Sequence, residues 1–154
     1  MGLFLNKAKE TVLDAIDIDL SIYPDNSFTQ EQCINKDGKN IINHYLYLEE
    51  GLLLNLFPQL MVITFDDSYD KNYIFRCPVF EEFKKSSLIE LVNNISDVYG
   101  PDAMGNNKFS AEDWKQIKEG FWIGRNWMND KYPITCLLYF DQGGNGLSFT
   151  IWTN

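Results

Sequence analysis

The chain has 154 residues and a formal net charge of −9, with 45% hydrophobic and 23% charged residues. These values are typical of a soluble globular protein, and a chain of this length buries enough surface to fold without disulfides or metals. We therefore predict a single globular domain over residues 1–154. The acidic balance argues against nucleic acids and anionic membranes as partners, because both would repel the protein.

Cysteine usage and the first residues both indicate the cytoplasm. Cys33, Cys77 and Cys136 are odd in number and widely spaced, which favours reduced thiols over a disulfide framework. The apolar run Leu3–Leu5 is far shorter than the apolar region of a signal peptide. No other run approaches the length of a transmembrane helix. We therefore expect a cytoplasmic protein.

The first part of the chain is predicted to contain a helix and then a strand. Apolar residues recur at helical spacing over residues 3–14. Over Ile16–Ile22 they alternate with Asp and Ser, which predicts a half-buried strand that ends at Pro24–Ser27. Phe28–Ile34 is interpreted as one helical turn, and Asn35–Asn40 as a loop.

The segment Ile41–Phe57 has two interpretations. Its apolar residues fit a helical stripe, yet Glu49-Glu50-Gly51 also resembles a turn between two strands. We favour two strands, Asn43–Leu48 and Leu52–Leu56, because a glycine in the interior of a helix costs about 1 kcal/mol.

Two further strands, Leu60–Phe65 and Tyr73–Val79, are predicted on either side of the polar loop Asp66–Asn72. This loop carries oxygen-bearing side chains at alternate positions, as a calcium-binding loop does. However, Lys71 and Cys77 stand where an EF-hand loop requires glycine and glutamate. We therefore interpret the loop as a hairpin tip and predict no metal.

Two helices follow. The first is predicted to be capped by Ser86 or Ser87 and to be ended by Gly100-Pro101. The segment Ser110–Asp113 matches a capping box, which predicts a second helix that extends to about Lys118.

The last third of the chain is predicted to form a three-stranded antiparallel meander. Its strands are Phe121–Met128, Ile134–Asp141 and Gly146–Thr153, and the tight turn Gln142–Asn145 joins the last two. Runs of strands and helices without strict alternation argue against a parallel sheet. The sequence therefore predicts an α+β fold, with a mainly antiparallel sheet of about six to eight strands and three helices.

This turn also predicts the register of the last two strands. One face then collects residues that pair across them: Phe140 with Leu147, Leu138 with Phe149, and Cys136 with Ile151. The same face of the first strand carries Phe121, Ile123 and Trp127, together with Arg125.

Four residues of this meander are candidate binding residues. The opposite face carries an aromatic row, Trp122, Tyr139 and Trp152, in which Trp122 pairs with Tyr139 and Trp152 lies opposite Thr135. Because large exposed apolar patches are rare on monomers, this row is either a contact surface or is covered by a helix. Arg125 has three interpretations: an edge-strand charge that discourages aggregation, a buried arginine paired with a carboxylate, or an anion-binding group.

No catalytic residue or cofactor is predicted. The single histidine, His44, has no nucleophile turn near it, and the cysteines lack zinc-finger spacing. The glycine-rich stretch Gln142–Gly146 lies between two strands, whereas a phosphate-binding loop opens a helix. Asp17 and Asp19 alternate with apolar residues, which is typical of a solvated strand face.

The general layout resembles that of small bacterial cytosolic proteins, some of which are immunity partners of toxins. The shared features are a capped helix, Tyr99-Gly100-Pro101, a Trp-bearing helix and an aromatic three-stranded end. The resemblance covers about a third of the chain and rests on no specific motif.

These features predict a non-enzymatic domain that binds another protein. An acidic surface with aromatic anchors suits a basic partner surface. One alternative is an enzyme or a small-molecule-binding protein with an aromatic-lined pocket. A second alternative is a structural subunit of a homo-oligomer, and the sequence leaves the oligomeric state open.

Overall fold

The computed structural model describes residues 16, 19–34, 37–66, 68–80, 84–127, 135–141 and 146–153. The helix predicted over residues 3–14 and the turn Gln142–Asn145 lie outside these ranges. Within them the chain forms one seven-stranded sheet and three α-helices.

Every neighbouring pair of strands in this sheet is antiparallel. The strands are β1 (Thr29–Ile34), β2 (Asn40–Gly51), β3 (Phe57–Phe65), β4 (Ser68–Cys77), β5 (Arg125–Trp127), β6 (Thr135–Asp141) and β7 (Gly146–Thr153). Their order is β1-β2-β3-β4-β7-β6-β5. Two meanders, β1 to β4 and β5 to β7, therefore join where β4 pairs with β7. The predicted antiparallel α+β fold is confirmed.

The helices are α1 (Leu52–Asn55), α2 (Lys85–Tyr99) and α3 (Ala111–Lys118), and α2 and α3 connect the two meanders. The predicted capping box of α3 is present, with Ser110 and Asp113 each accepting from the other's backbone amide. The predicted serine cap of α2 is wrong. Its N-cap, Lys84, makes no side-chain cap, and Ser87 Oγ donates instead to the carbonyl of Leu54.

One face of the sheet, which we call the inner face, packs against α2 and forms the core. The buried residues of α2 join the buried residues of β3, β4, β6 and β7 in one cluster. At its centre the rings of Phe57, Phe75 and Phe149 lie 5.9–6.4 Å apart. Since side chains alternate along a strand, the residues between these core positions lie on the opposite face, which we call the outer face.

The register predicted for the last two strands is confirmed, including the pairing of Leu138 with Phe149. The first strand of the meander was predicted too long, because β5 begins only at Arg125. Gly124 explains the difference. Its φ is +71°, and a Cβ atom there would lie 1.9 Å from the Leu138 carbonyl oxygen. The chain turns at this glycine, so Phe121 and Ile123 are exposed rather than on the inner face.

Two elements near the start of the described chain differ from the prediction. The strand predicted over Ile16–Ile22 is wrong, because Leu20–Ile22 form a 3₁₀ turn in which Asp19 accepts from the Ser21 amide. The helical turn predicted over Phe28–Ile34 is also wrong. Residues from Thr29 onward form β1, which pairs in a hairpin with the next strand, β2, from Ile34 opposite Asn40 to Thr29 opposite Tyr45.

The two central segments also have different boundaries. β2 continues through Gly51, and the strand predicted over Leu52–Leu56 is wrong. Leu53, Leu54 and Asn55 have positive φ, and the Asn55 side chain closes this turn by accepting from the Gly51 amide at 2.6 Å. The loop predicted over Asp66–Asn72 is shorter, because β4 begins at Ser68.

Candidate binding surface

Trp122 does not lie on the outer face, so the predicted pairing of Trp122 with Tyr139 is wrong. Its side chain is 5% exposed. The ring packs against Phe109 at 6.2 Å and against Phe140 at 5.5 Å between centroids. The indole Nε1 donates to the Asp113 carboxylate at 2.9 Å. Trp122 is therefore part of the core on the inner side of the sheet.

Arg125 is a buried arginine paired with a carboxylate, which is one of its three predicted interpretations. Its side chain is 2% exposed, and Nη1 and Nη2 each donate to one Asp113 oxygen at 2.6 Å. The remaining hydrogen bonds go to the carbonyls of Asn107, Lys108 and Gly124. A guanidinium group has five N–H donors, and these contacts occupy all of them, so none is left for an anion.

The electrostatics of Asp113 fit a structural role. Burial would raise the pKa of its carboxyl group, but hydrogen bonds from Arg125, Trp122 and Ser110 outweigh burial and lower the pKa below its ordinary value. Asp113 therefore remains a carboxylate at neutral pH. It joins α3, the loop before β5 and β5 itself in one buried unit.

Tyr139 and Trp152 do lie on the outer face, and both are half-buried. Trp152 is opposite Thr135, as predicted, and Tyr139 is opposite Ser148. The two aromatic residues are four positions apart along the strands, or about 13 Å at the usual rise per residue. They share a face without forming a continuous row.

The most exposed aromatic residues of the outer face are on β2. Tyr45 and Tyr47 are exposed, Tyr47 by 74%. The strand pairing continues this surface from Tyr45 through half-buried apolar residues of neighbouring strands: Met61, Ile74 and Leu137. The core contacts of α2 and α3 are on the inner side. The outer face is therefore a mixed polar and apolar sheet surface. Its tyrosines on β2 are exposed, whereas Ser148 and Thr150 of β7 are buried.

A depression of about 130 Å³ lies beside these tyrosines. Its lining residues belong to three adjacent strands: Tyr45, Leu46, Tyr47, Gln59, Leu60, Met61 and Arg76. Gln59 Nε2 donates to the Tyr47 hydroxyl at 2.8 Å, which orients the tyrosine ring at the rim. The row Tyr47–Gln59–Arg76 continues through Ser148 to Tyr139. The predicted residue Tyr139 is thus in the same row as the depression.

His44 lies on the inner face, where it is buried and its Nε2 is 3.0 Å from the Thr64 hydroxyl. Burial, assisted by the nearby charge of Lys71, lowers the pKa of His44. The ring is therefore neutral at pH 7 and serves as a hydrogen-bonded core residue. Within the described ranges, no three His, Cys, Asp or Glu residues come together in a group able to hold a metal ion.

Comparisons with family models, curated proteins and solved structures found no significant match to this chain. In the part of the chain that the structure describes, no helix has the length and apolar character needed to cross a membrane.

Sequence reasoning did not identify the depression, although part of its signal was present. Tyr45 and Tyr47 alternate with His44 and Leu46, a period of two that places both tyrosines on one face of a strand. Arg76 is the residue that local patterns do not reveal. It reaches this site only because β4 pairs with β3 in the observed register.

Proposed function

We propose that this protein is a non-enzymatic domain that binds another protein through the outer face of its sheet. The observation that carries the proposal is the exposed tyrosine pair, Tyr45 and Tyr47, at the rim of an apolar depression. Tyrosine is enriched among the residues that dominate binding energy, especially beside pockets that exclude water.

The size of the depression favours a protein partner over a small-molecule ligand. Ligand sites usually have volumes of about 300–1,000 Å³, whereas this depression has about 130 Å³. That volume accepts one apolar side chain rather than a whole ligand. Shallow apolar surfaces with one small pocket are typical of interfaces that receive an anchor residue.

The alternative of an enzyme has less support from the geometry. Asp113 and Arg125 neutralise each other in the core, and His44 faces Thr64 on the inner face. None of these three residues lines the depression. The polar groups that do line it suit partner orientation: the Tyr47 hydroxyl, the Gln59 amide and the Arg76 guanidinium.

Charge favours a basic partner over a second copy of the chain. A net charge of −9 steers basic proteins toward this one and makes like molecules repel. Glu31 and Glu49 add exposed carboxylates beside the tyrosines. We place this interaction in the cytoplasm, in keeping with Cys33 and Cys77, neither of which is in a disulfide. An immunity-like role, masking a basic surface of a bacterial toxin, is one form of this function.

Site-specific photo-crosslinking in the native host tests this function. A benzophenone amino acid replaces Tyr47 in one variant and the exposed helix residue Glu90 in another. We expect the Tyr47 variant to give a discrete adduct with another protein, and the Glu90 variant to give none. Adducts with a second copy would support the homo-oligomer instead. The proposal is wrong if neither position, or both equally, form adducts.

A further inference from the structure

The backbone groups at the two edges of the sheet have different hydrogen-bond partners. At the β5 edge, the Asn126 amide donates to Asp102 at 2.9 Å, and the Asn126 carbonyl accepts from Ala103 at 2.7 Å. Asp102 also accepts from the amides of Met104 and Asn106, which fixes the loop against the strand. Backbone groups that would otherwise be open at this edge are therefore occupied.

Among the residues that the structure describes, none covers the β1 edge in this way. β1 is six residues long, ends the sheet and is exposed at every position except Cys33, which is half-buried. Its six pairs with β2 follow in continuous register. Natural proteins usually protect an exposed edge with charged side chains, lysine above all, with proline or with a bulge. The sequence of β1, from Thr29 to Ile34, contains no lysine or proline.

We propose that β1 is a docking edge, to which a basic partner protein adds an extended segment as an eighth strand. Edge strands bind partners in this way because their free N–H and C=O groups supply a ready set of backbone hydrogen bonds. This inference rests on the proposed function, since the added strand would extend the outer face beyond Tyr45, which pairs with Thr29 of β1.

The charge of β1 identifies the kind of segment that fits. Glu31 is its only charged residue, lies in the outer-face register, and accepts from the Tyr45 hydroxyl at 3.4 Å. A residue directly opposite on an added strand would lie about 4.5–5.5 Å away between Cβ atoms. A lysine or arginine at that position pairs with Glu31, and its neighbours two residues away also reach the outer face.

A second copy of the chain fits this edge poorly. If two β1 strands paired antiparallel with their outer faces aligned and Glu31 at the centre, Glu31 would lie opposite Glu31 of the other copy. Like charges directly opposite one another are destabilising. Each chain also carries a net charge of −9, which opposes association further.

The test adds a seven-residue peptide of alternating lysine and valine to the full chain. The rates of amide hydrogen exchange are then measured by NMR. We expect saturating peptide to slow exchange about tenfold at alternate amides of β1, because added strand pairing protects the outward amides. A control peptide of the same sequence carries N-methyl groups on alternate amides. It retains the charge but cannot form the backbone hydrogen bonds, and it should give no protection.

Matched variants test whether the charge of Glu31 contributes to peptide binding at this edge. Glu31→Lys should weaken peptide binding about two- to fivefold, the range of a cross-strand pair. Glu90→Lys makes the same charge change on α2 and should have a smaller effect. Equal binding of the N-methylated peptide, or no protection at β1, would overturn the proposal. If the β1 amides were protected in a dimer without peptide, the edge would be occupied by a second copy of the chain, and the proposal would be overturned.

The outcome also separates this inference from the proposed function. If the Tyr47 crosslink forms but β1 gains no protection, the edge inference is wrong and the outer-face function stands. If β1 is protected but Tyr47 gives no adduct, the partner binds by the edge alone and the outer-face function is wrong.

Discussion

Two groups of aromatic residues, at opposite ends of the sheet, have opposite environments. Trp122 has its indole N–H bound to Asp113 and its ring covered by Phe109 and Phe140. Tyr45 and Tyr47 lie exposed on the outer face. An aromatic residue near a strand is therefore not in itself a sign of a binding surface. What distinguishes the two groups is whether a buried partner exists for the polar atom of the ring.

The largest effect should come from removing the carboxylate of the buried group. Asp113→Ala leaves Arg125 charged and without its buried partner, so we expect a loss of about 3–5 kcal/mol in the free energy of unfolding. Asp97→Ala is the control, because Asp97 pairs with Lys108 on the surface and should cost less than about 1 kcal/mol. Denaturant titration measures both. Equal losses would show that Asp113 is not a structural centre.

Truncating one aromatic residue from each group contrasts the two groups directly. Trp122→Ala should destabilise the protein by about 3–5 kcal/mol, as the loss of a core aromatic does. Tyr47→Ala should change stability by no more than about 0.5 kcal/mol, as is usual for exposed positions. Thermal and denaturant unfolding of both variants give the comparison. A large loss for Tyr47→Ala would make this residue a packing element.

Two glycines test why β5 begins where it does. Gly120 and Gly124 both have positive φ, but only Gly124 has backbone atoms where a Cβ would lie. Gly120→Ala should cost about 1–2 kcal/mol for the left-handed conformation. Gly124→Ala should cost at least about 2 kcal/mol more, because the added methyl group overpacks the contact with Leu138. Similar unfolding free energies would contradict this close approach.

The smallest expected effect concerns pH. Because the pKa of His44 is lowered in the folded state, the unfolded chain takes up the proton first as the pH falls below about 6.5. Stability should therefore decrease from pH 7 to pH 5, and His44→Gln should flatten this dependence. The chain has one histidine, so the assignment is direct. An unchanged pH profile in the variant would show that His44 is not buried in a neutral form.

Local signals predicted the elements that depend on neighbouring residues. The Ser110 capping box and the β6–β7 register were predicted because a cap and a tight turn each involve residues close in sequence. The stop of α2 at Gly100 is of the same kind.

Elements that depend on partners outside their own segment were not predicted. β1 has a weak pattern of its own and is a strand because it pairs with β2. The turn at Gly124 depends on the carbonyl of Leu138, and the burial of Trp122 depends on Asp113. Two of the three residues in the predicted aromatic row, Tyr139 and Trp152, therefore remained on the outer face. The depression beside Tyr47 depended on strand pairing that no local pattern shows.

The affinity of the protein recovered by the Tyr47 crosslink tests the account most directly. Calorimetric titration would compare the unmodified chain with the variants Tyr47→Ala and Glu90→Ala. We predict that Tyr47→Ala weakens binding by at least about 2 kcal/mol, as the loss of an anchor residue does, while Glu90→Ala leaves binding unchanged. Equal affinity for Tyr47→Ala and the unmodified chain would contradict the assignment of the outer face as the binding surface.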